Sequence, residues 1–155
     1  FMEQDTLDRL ALDSAFEQAR IGLAEGGMPI GAALMNSEGV VLALGRSLVV
    51  QQGDPTAHAE TVCIRNAGRR HDWASLTLAT TLSPCAMCAG ASVLLRLRRI
   101  VIGENHTFSG REDWLEDAGI EVRVMDDLRC QSMMERFIAT RPELWHEHIG
   151  SPRGE

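Results

Sequence analysis

The sequence predicts an α/β domain in which helices cover a mixed sheet of about five strands. The length of 155 residues is that of one ordinary domain. A hairpin pattern around Asn36-Ser37-Glu38-Gly39 supplies an antiparallel pair. Beyond it, strand-length apolar runs alternate with stretches of helical period, the pattern of a layered α/β unit.

Each element has its own signal. From about Thr6 to Glu25, Leu7, Leu10, Ala11, Ala15, Phe16, Ala19 and Leu23 recur near helical spacing, with Asp5 or Thr6 as candidate N-cap. Gly26-Gly27 ends that helix, and Pro29 restarts the chain in extended form. Ile30–Met35 and Val40–Leu48 are the hairpin strands, and a polar loop (Gln51 to Thr56) leads to a helix over about Ala57–Arg70. A strand at Leu76–Thr81, a helix at Ala86–Leu95 and a strand at Arg99–Gly103 follow. A short helix at Glu112–Asp117 then precedes a strand at Glu121–Met125. Asp126 or Asp127 caps a helix reaching Thr140, and Pro142 opens a last one near Glu143–His148. No repeat or linker interrupts the chain, so 1–155 reads as a single domain whose ends, about 1–5 and 151–155, are expected to fray.

Composition narrows the function. Fifteen Lys+Arg against 22 Asp+Glu leave a net charge of −7, which argues against nucleic-acid and anionic-membrane partners, since both need clustered cations. No stretch approaches a membrane span and the N-terminal residues show no export pattern, so a cytoplasmic location is expected. Four cysteines are too few for a disulfide scaffold, and the C-x-x-C pair among them points to metal in a reducing compartment.

The chemistry concentrates in two segments. His58-Ala59-Glu60 opens one predicted helix, and Pro84-Cys85-Ala86-Met87-Cys88 joins a strand to the next. Cys85 and Cys88 fall on one face of a first helical turn, where the helix N-terminus favours thiolates. One imidazole and two thiolates suit Zn²⁺ and leave one tetrahedral position open, whereas a structural site closes with a fourth Cys or His. Glu60 reaches that open side without ligating and serves as a general acid/base. The combination is the H-x-E…P-C-x-x-C pattern of zinc-dependent base deaminases. Cys63 reads as a core residue, Cys130 as packing or surface, His71 as a loop residue, and the scattered methionines as core filler.

From these residues the sequence resembles the small cytosine deaminases, the fungal-type free-base enzymes of the cytidine deaminase superfamily. The likeness runs from about Ala15 to Gly150 and includes Glu25-Gly26-Gly27-Met28-Pro29-Ile30-Gly31, Thr80-Thr81-Leu82-Ser83-Pro84-Cys85, Val101-Ile102-Gly103-Glu104-Asn105 and Arg141-Pro142-Glu143-Leu144-Trp145. It implies a cytidine-deaminase-like three-layer α/β/α fold, a homodimer, and one Zn²⁺ per subunit on His58, Cys85 and Cys88. It further implies Glu60 as proton shuttle, the Ala59 amide on the ring carbonyl and the Ser83 carbonyl on the exocyclic amine. Ile30, Phe108 and Trp145 would line the pocket and stack on the base. The implied activity is hydrolytic deamination of a free base with release of ammonia, in pyrimidine salvage.

Two positions depart from that family. Where the family has an asparagine eleven residues before the zinc histidine, this chain has Ser47; where it has an acidic residue three after the pocket tryptophan, this chain has His148. Both fall on the ring edge remote from the reacting amine, so recognition changes while chemistry survives. The expected substrate is an aminopyrimidine or amino-triazine such as 5-azacytosine or isocytosine, with plain cytosine as the alternative if His148 merely closes the pocket. A guanine deaminase is a rival reading. A tRNA-editing adenosine deaminase fits less well, because the acidic chain offers no basic track. A zinc-stabilised interaction module would need the metal fully coordinated by protein.

Overall fold

The computed structural model describes residues 2–150. Helix α1 (Gln4–Ala24) is followed by strands β1 (Gly31–Met35) and β2 (Val41–Arg46), a one-turn helix α2 (Val49–Gln52) and helix α3 (Ala59–Ala67). Strand β3 (Thr77–Leu82), helix α4 (Ala86–Leu95), strand β4 (Arg99–Glu104), helix α5 (Glu112–Asp117) and strand β5 (Glu121–Val124) continue the alternation. Helices α6 (Leu128–Thr140) and α7 (Pro142–Ile149) close it. The sheet runs β2-β1-β3-β4-β5; β1 is antiparallel to β2 and β3, while β3, β4 and β5 are parallel. This is the expected mixed five-stranded sheet.

The central strands are buried along nearly their whole length because both faces are covered. Ala33, Met35, Ala79 and Val101 pack beneath Ala11, Leu12 and Ala15 of α1 and Cys130 of α6. Leu34, Leu78, Ile100 and Ile102 point the other way, toward Ala59 and Cys63 of α3 and Ala89 of α4. Cys63 and Cys130 are therefore core residues. Gly45 lets α3 lie directly on β2, since a Cβ there would sit 2.4 Å from the Cys63 nitrogen. A buried ion pair ties α1 to the parallel edge: the Asp8 carboxylate takes Arg99 at 2.7 Å and Arg123 at 2.8 Å.

Several boundaries differ from expectation. Helix α1 starts at Gln4 with Glu3 as N-cap and no side-chain cap bond, so neither Asp5 nor Thr6 caps it, and Gln4 and Asp5 are helical rather than frayed. Asp5 is held there by Arg9 and Arg123. The tail expected to fray, 151–155, lies outside the described residues. The second hairpin strand stops at Arg46 rather than Leu48: the Ser47 amide makes one last bond in register, to the Ile30 carbonyl at 3.0 Å, and Leu48 becomes the N-cap of α2. Helix α3 is shorter than Ala57–Arg70: it begins after His58 and ends at Gly68, with φ 74°. Asp127 caps α6, accepting from the Arg129 and Cys130 amides.

Candidate active site

The predicted catalytic side chains meet where α3 and α4 begin. His58 and Cys85 are the N-cap residues of those helices, both in extended conformation and neither spending its side chain on a cap bond. Their side chains are thus free to face each other. His58 Nδ1 lies 3.5 Å from Cys85 Sγ and 3.8 Å from Cys88 Sγ, and the three donor atoms fall within 4.8 Å of one another. A tetrahedral zinc with ordinary Zn–N and Zn–S bonds sets its ligand atoms roughly 3.5–3.8 Å apart, so the donor set fits. Burial lowers the His58 pKa, but hydrogen bonding to Cys85 and the Pro55 backbone and the charges of Glu60 and Cys85 outweigh it and raise it. Hydrogen bonding from Cys88, opposed by burial and helped by His58, pulls the Cys85 thiol down to about 3; donating that proton, with burial, pushes Cys88 up.

Glu60 lies in the first turn of α3 and is only 4% exposed. Burial, reinforced by the charge of Cys85, pushes its carboxyl up to about 7, where it can both take and give a proton at neutral pH. His58 and Glu60 share a cavity of about 510 Å³ with Ile30, Ser83, Cys85, Phe108, Trp145 and His148.

The far wall is aromatic. Trp145 and His148 of α7 lie with ring centroids 5.9 Å apart at 20°, and Phe108 meets Trp145 edge-on at 6.0 Å and 86°. His148 also stacks on His58 at 4.2 Å. Burial and the neighbouring His58 charge push His148 down to about 4, so it is neutral at pH 7. Its Nδ1 is buried without a hydrogen-bond partner among the described residues. A buried polar atom seldom stays unpaired, so this one is available to whatever enters the cavity.

Two predicted contacts, Ser47 and Ala59, are fully buried, and the Ser47 hydroxyl has no hydrogen-bond partner among the described residues. Other residues escape sequence reasoning. Met87, Arg111 and Glu147 line the cavity. Fully buried Glu104 accepts from the amides of His106 and Thr107 and from the Thr107 hydroxyl, starting the loop that carries Phe108. The one sequence signal for Glu104 is an acid directly after the uncharged run Ile100 to Gly103.

Comparison with known proteins agrees with this arrangement. Residues 5–104 match the family model described as the cytidine and deoxycytidylate deaminase zinc-binding region. The chain is 39% identical to a cytosine deaminase from Candida albicans over 92% of its own length and 97% of that enzyme. It is 36% identical to a tRNA-specific adenosine deaminase from Haemophilus influenzae, over 83% of this chain and 72% of that protein. A solved guanine deaminase from Nitrosomonas europaea superposes with a TM-score of 0.73 at 26% identity, over 83% of each chain. With the zinc donors and the fold in agreement, the chain belongs to the cytidine and deoxycytidylate deaminase zinc-binding family.

Proposed function

We propose that the protein hydrolytically deaminates a free single-ring base, an aminopyrimidine or amino-triazine, and releases ammonia. The observation that carries this reading is Glu60, buried beside the zinc donors on the wall of a cavity whose opposite side is aromatic. The full-length likeness to the Candida albicans cytosine deaminase supports it.

His58, Cys85 and Cys88 would hold the zinc, which when bound would supply Lewis acidity and let water act as a nucleophile at neutral pH. Glu60 takes a proton from the attacking water and delivers it to the ring nitrogen beside the aminated carbon. It then carries a proton to the departing ammonia. Phe108 and Trp145 hold the ring flat and keep bulk water out, with Ile30 along its side. The Ala59 amide meets the ring carbonyl and the Ser83 carbonyl meets the exocyclic amine. Ser47, whose buried hydroxyl has no partner among the described residues, stands on the ring edge remote from the amine.

His148 reads the edge remote from the amine. Leaving a ring N–H or the His148 nitrogen unpaired in a closed pocket costs about 1–3 kcal/mol, enough to reorder bases of equal reactivity. A base with an acceptor or oxo group at that edge, such as isocytosine or 5-azacytosine, is the preferred substrate. Guanine is the second reading, because a cavity of about 510 Å³ admits a purine. Nucleic acid is disfavoured by the charge of −7.

The chain acts as one catalytic domain and works as a homodimer, a reading supported by Met87, Leu94 and Trp114, large apolar side chains left exposed on α4 and α5, Leu94 by 80%. A cytoplasmic role in pyrimidine salvage fits, and among the described residues no helix is long and apolar enough to cross a membrane.

Ammonia release from cytosine, isocytosine, 5-azacytosine, guanine and cytidine tests the reading. Single-ring free bases should be turned over and cytidine should not. Cytosine far ahead of every other base would overturn the preference assigned to His148, and guanine or cytidine in first place would overturn the substrate class.

A further inference from the structure

Phe108 stands on a loop, residues 105–111, that has no strand or helix of its own. Glu104 holds its start through His106 and Thr107, and a second set of side-chain bonds converges on Glu112, in the first turn of α5 and outside the cavity lining. Glu112 Oε2 accepts from the Ser83 hydroxyl at 2.6 Å, and Oε1 accepts from Asn105 Nδ2 at 3.3 Å. The same Ser83 oxygen accepts the Gly110 amide at 2.8 Å, and the Pro84 carbonyl accepts the Arg111 amide at 3.0 Å. Gly110 approaches so closely that a Cβ there would lie 1.8 Å from the Pro84 oxygen. The Glu112 carboxylate thus bridges Asn105, at the start of the loop, and Ser83, whose hydroxyl holds Gly110 near its end, just before the zinc donor Cys85.

We propose that Glu112 is a positioning residue: by tying Asn105 and Ser83 together it fixes Phe108 against Trp145 and sets how tightly the base is held, without touching the base. Phe108 meets Trp145, Trp145 stacks beside His148, and His148 stacks on His58. A slack loop therefore loosens the aromatic wall first and leaves Glu60 and the zinc donors in place. The consequence for turnover rests on the deaminase reading above; the consequence for the loop does not.

The test uses the zinc-loaded full chain as wild type, Glu112→Ala and Glu112→Gln. KM and kcat are measured on cytosine, isocytosine and 5-azacytosine, with amide hydrogen exchange over residues 105–111. Glu112→Ala should raise KM about three- to tenfold, the size of a lost aromatic contact, and leave kcat within about twofold. Exchange at 105–111 should quicken while zinc content is unchanged. Glu112→Gln keeps an oxygen for Ser83 and should recover most of both effects. Unchanged KM and unchanged exchange in Glu112→Ala would overturn the proposal, as would equal losses of kcat in both variants. If the wild type releases ammonia from none of these bases, the deaminase reading fails, and exchange at 105–111 alone decides whether Glu112 holds the loop.

Discussion

The floor and the roof of the cavity are built in different ways. The floor (His58, Glu60, Cys85 and Cys88) stands on the first turns of two helices pressed against the sheet, with local backbone geometry aiming each side chain. The roof is α7 and the 105–111 loop, held by ring stacking and by side-chain bonds between residues far apart in sequence, such as Ser83 and Glu112. A fixed floor suits proton transfer, which demands constant distances. A roof made of a few separable contacts suits recognition, because single substitutions there alter what is bound without disturbing how it reacts.

The largest effects should come from the floor. Glu60→Gln should lower kcat by about 10²–10⁴ and change KM little, as loss of a general acid/base does. Chelation should abolish turnover, and added zinc, but not magnesium, should restore it, because imidazole and thiolate donors select zinc.

A control remote from both regions should be nearly as large in stability and silent in substrate choice. Asp8 is completely buried between Arg99 and Arg123, and Asp8→Asn should cost about 3–5 kcal/mol in denaturant unfolding while leaving the ranking of bases unchanged. Burial alone would raise the Asp8 carboxyl, but hydrogen bonds from Arg99, Arg123 and Gln4 outweigh it and hold it below 3.8. Its contribution is therefore complete above that pH and fades as pH falls through the lower folded value. The gap between wild type and Asp8→Asn should narrow in that acid range.

The smallest effect should be in the roof: Phe108→Ala should raise KM about three- to tenfold with kcat nearly constant, read by steady-state kinetics. A large loss of kcat instead would mean that floor and roof are not separable.

The same contrast explains what was legible in the sequence. His58, Glu60, Cys85 and Cys88 lie in two short motifs whose spacing carries their geometry, and alternating apolar runs mark the sheet. The cap of α6 at Asp127 was readable because capping is local. The cap of α1 was not, since Asp5 and Thr6 look suitable but Asp5 is occupied by Arg123, 118 residues away. Ser47 and Leu48 read as the end of the hairpin strand, yet the strand ends at Arg46 and Leu48 is the N-cap of α2. Ser47, predicted near the base, is fully buried, a depth that spacing does not encode. Glu112 carries no motif of its own; its partner Ser83, 29 residues away, comes to it through the parallel pairing of β3 and β4.

The division of labour is tested most directly by ammonia release from cytosine, isocytosine and 5-azacytosine with wild type, Glu60→Gln and His148→Asp. Glu60→Gln should depress all three bases together and keep their order. His148→Asp should keep turnover but move preference toward cytosine. Turnover surviving in Glu60→Gln, or an unchanged order in His148→Asp, would contradict the account.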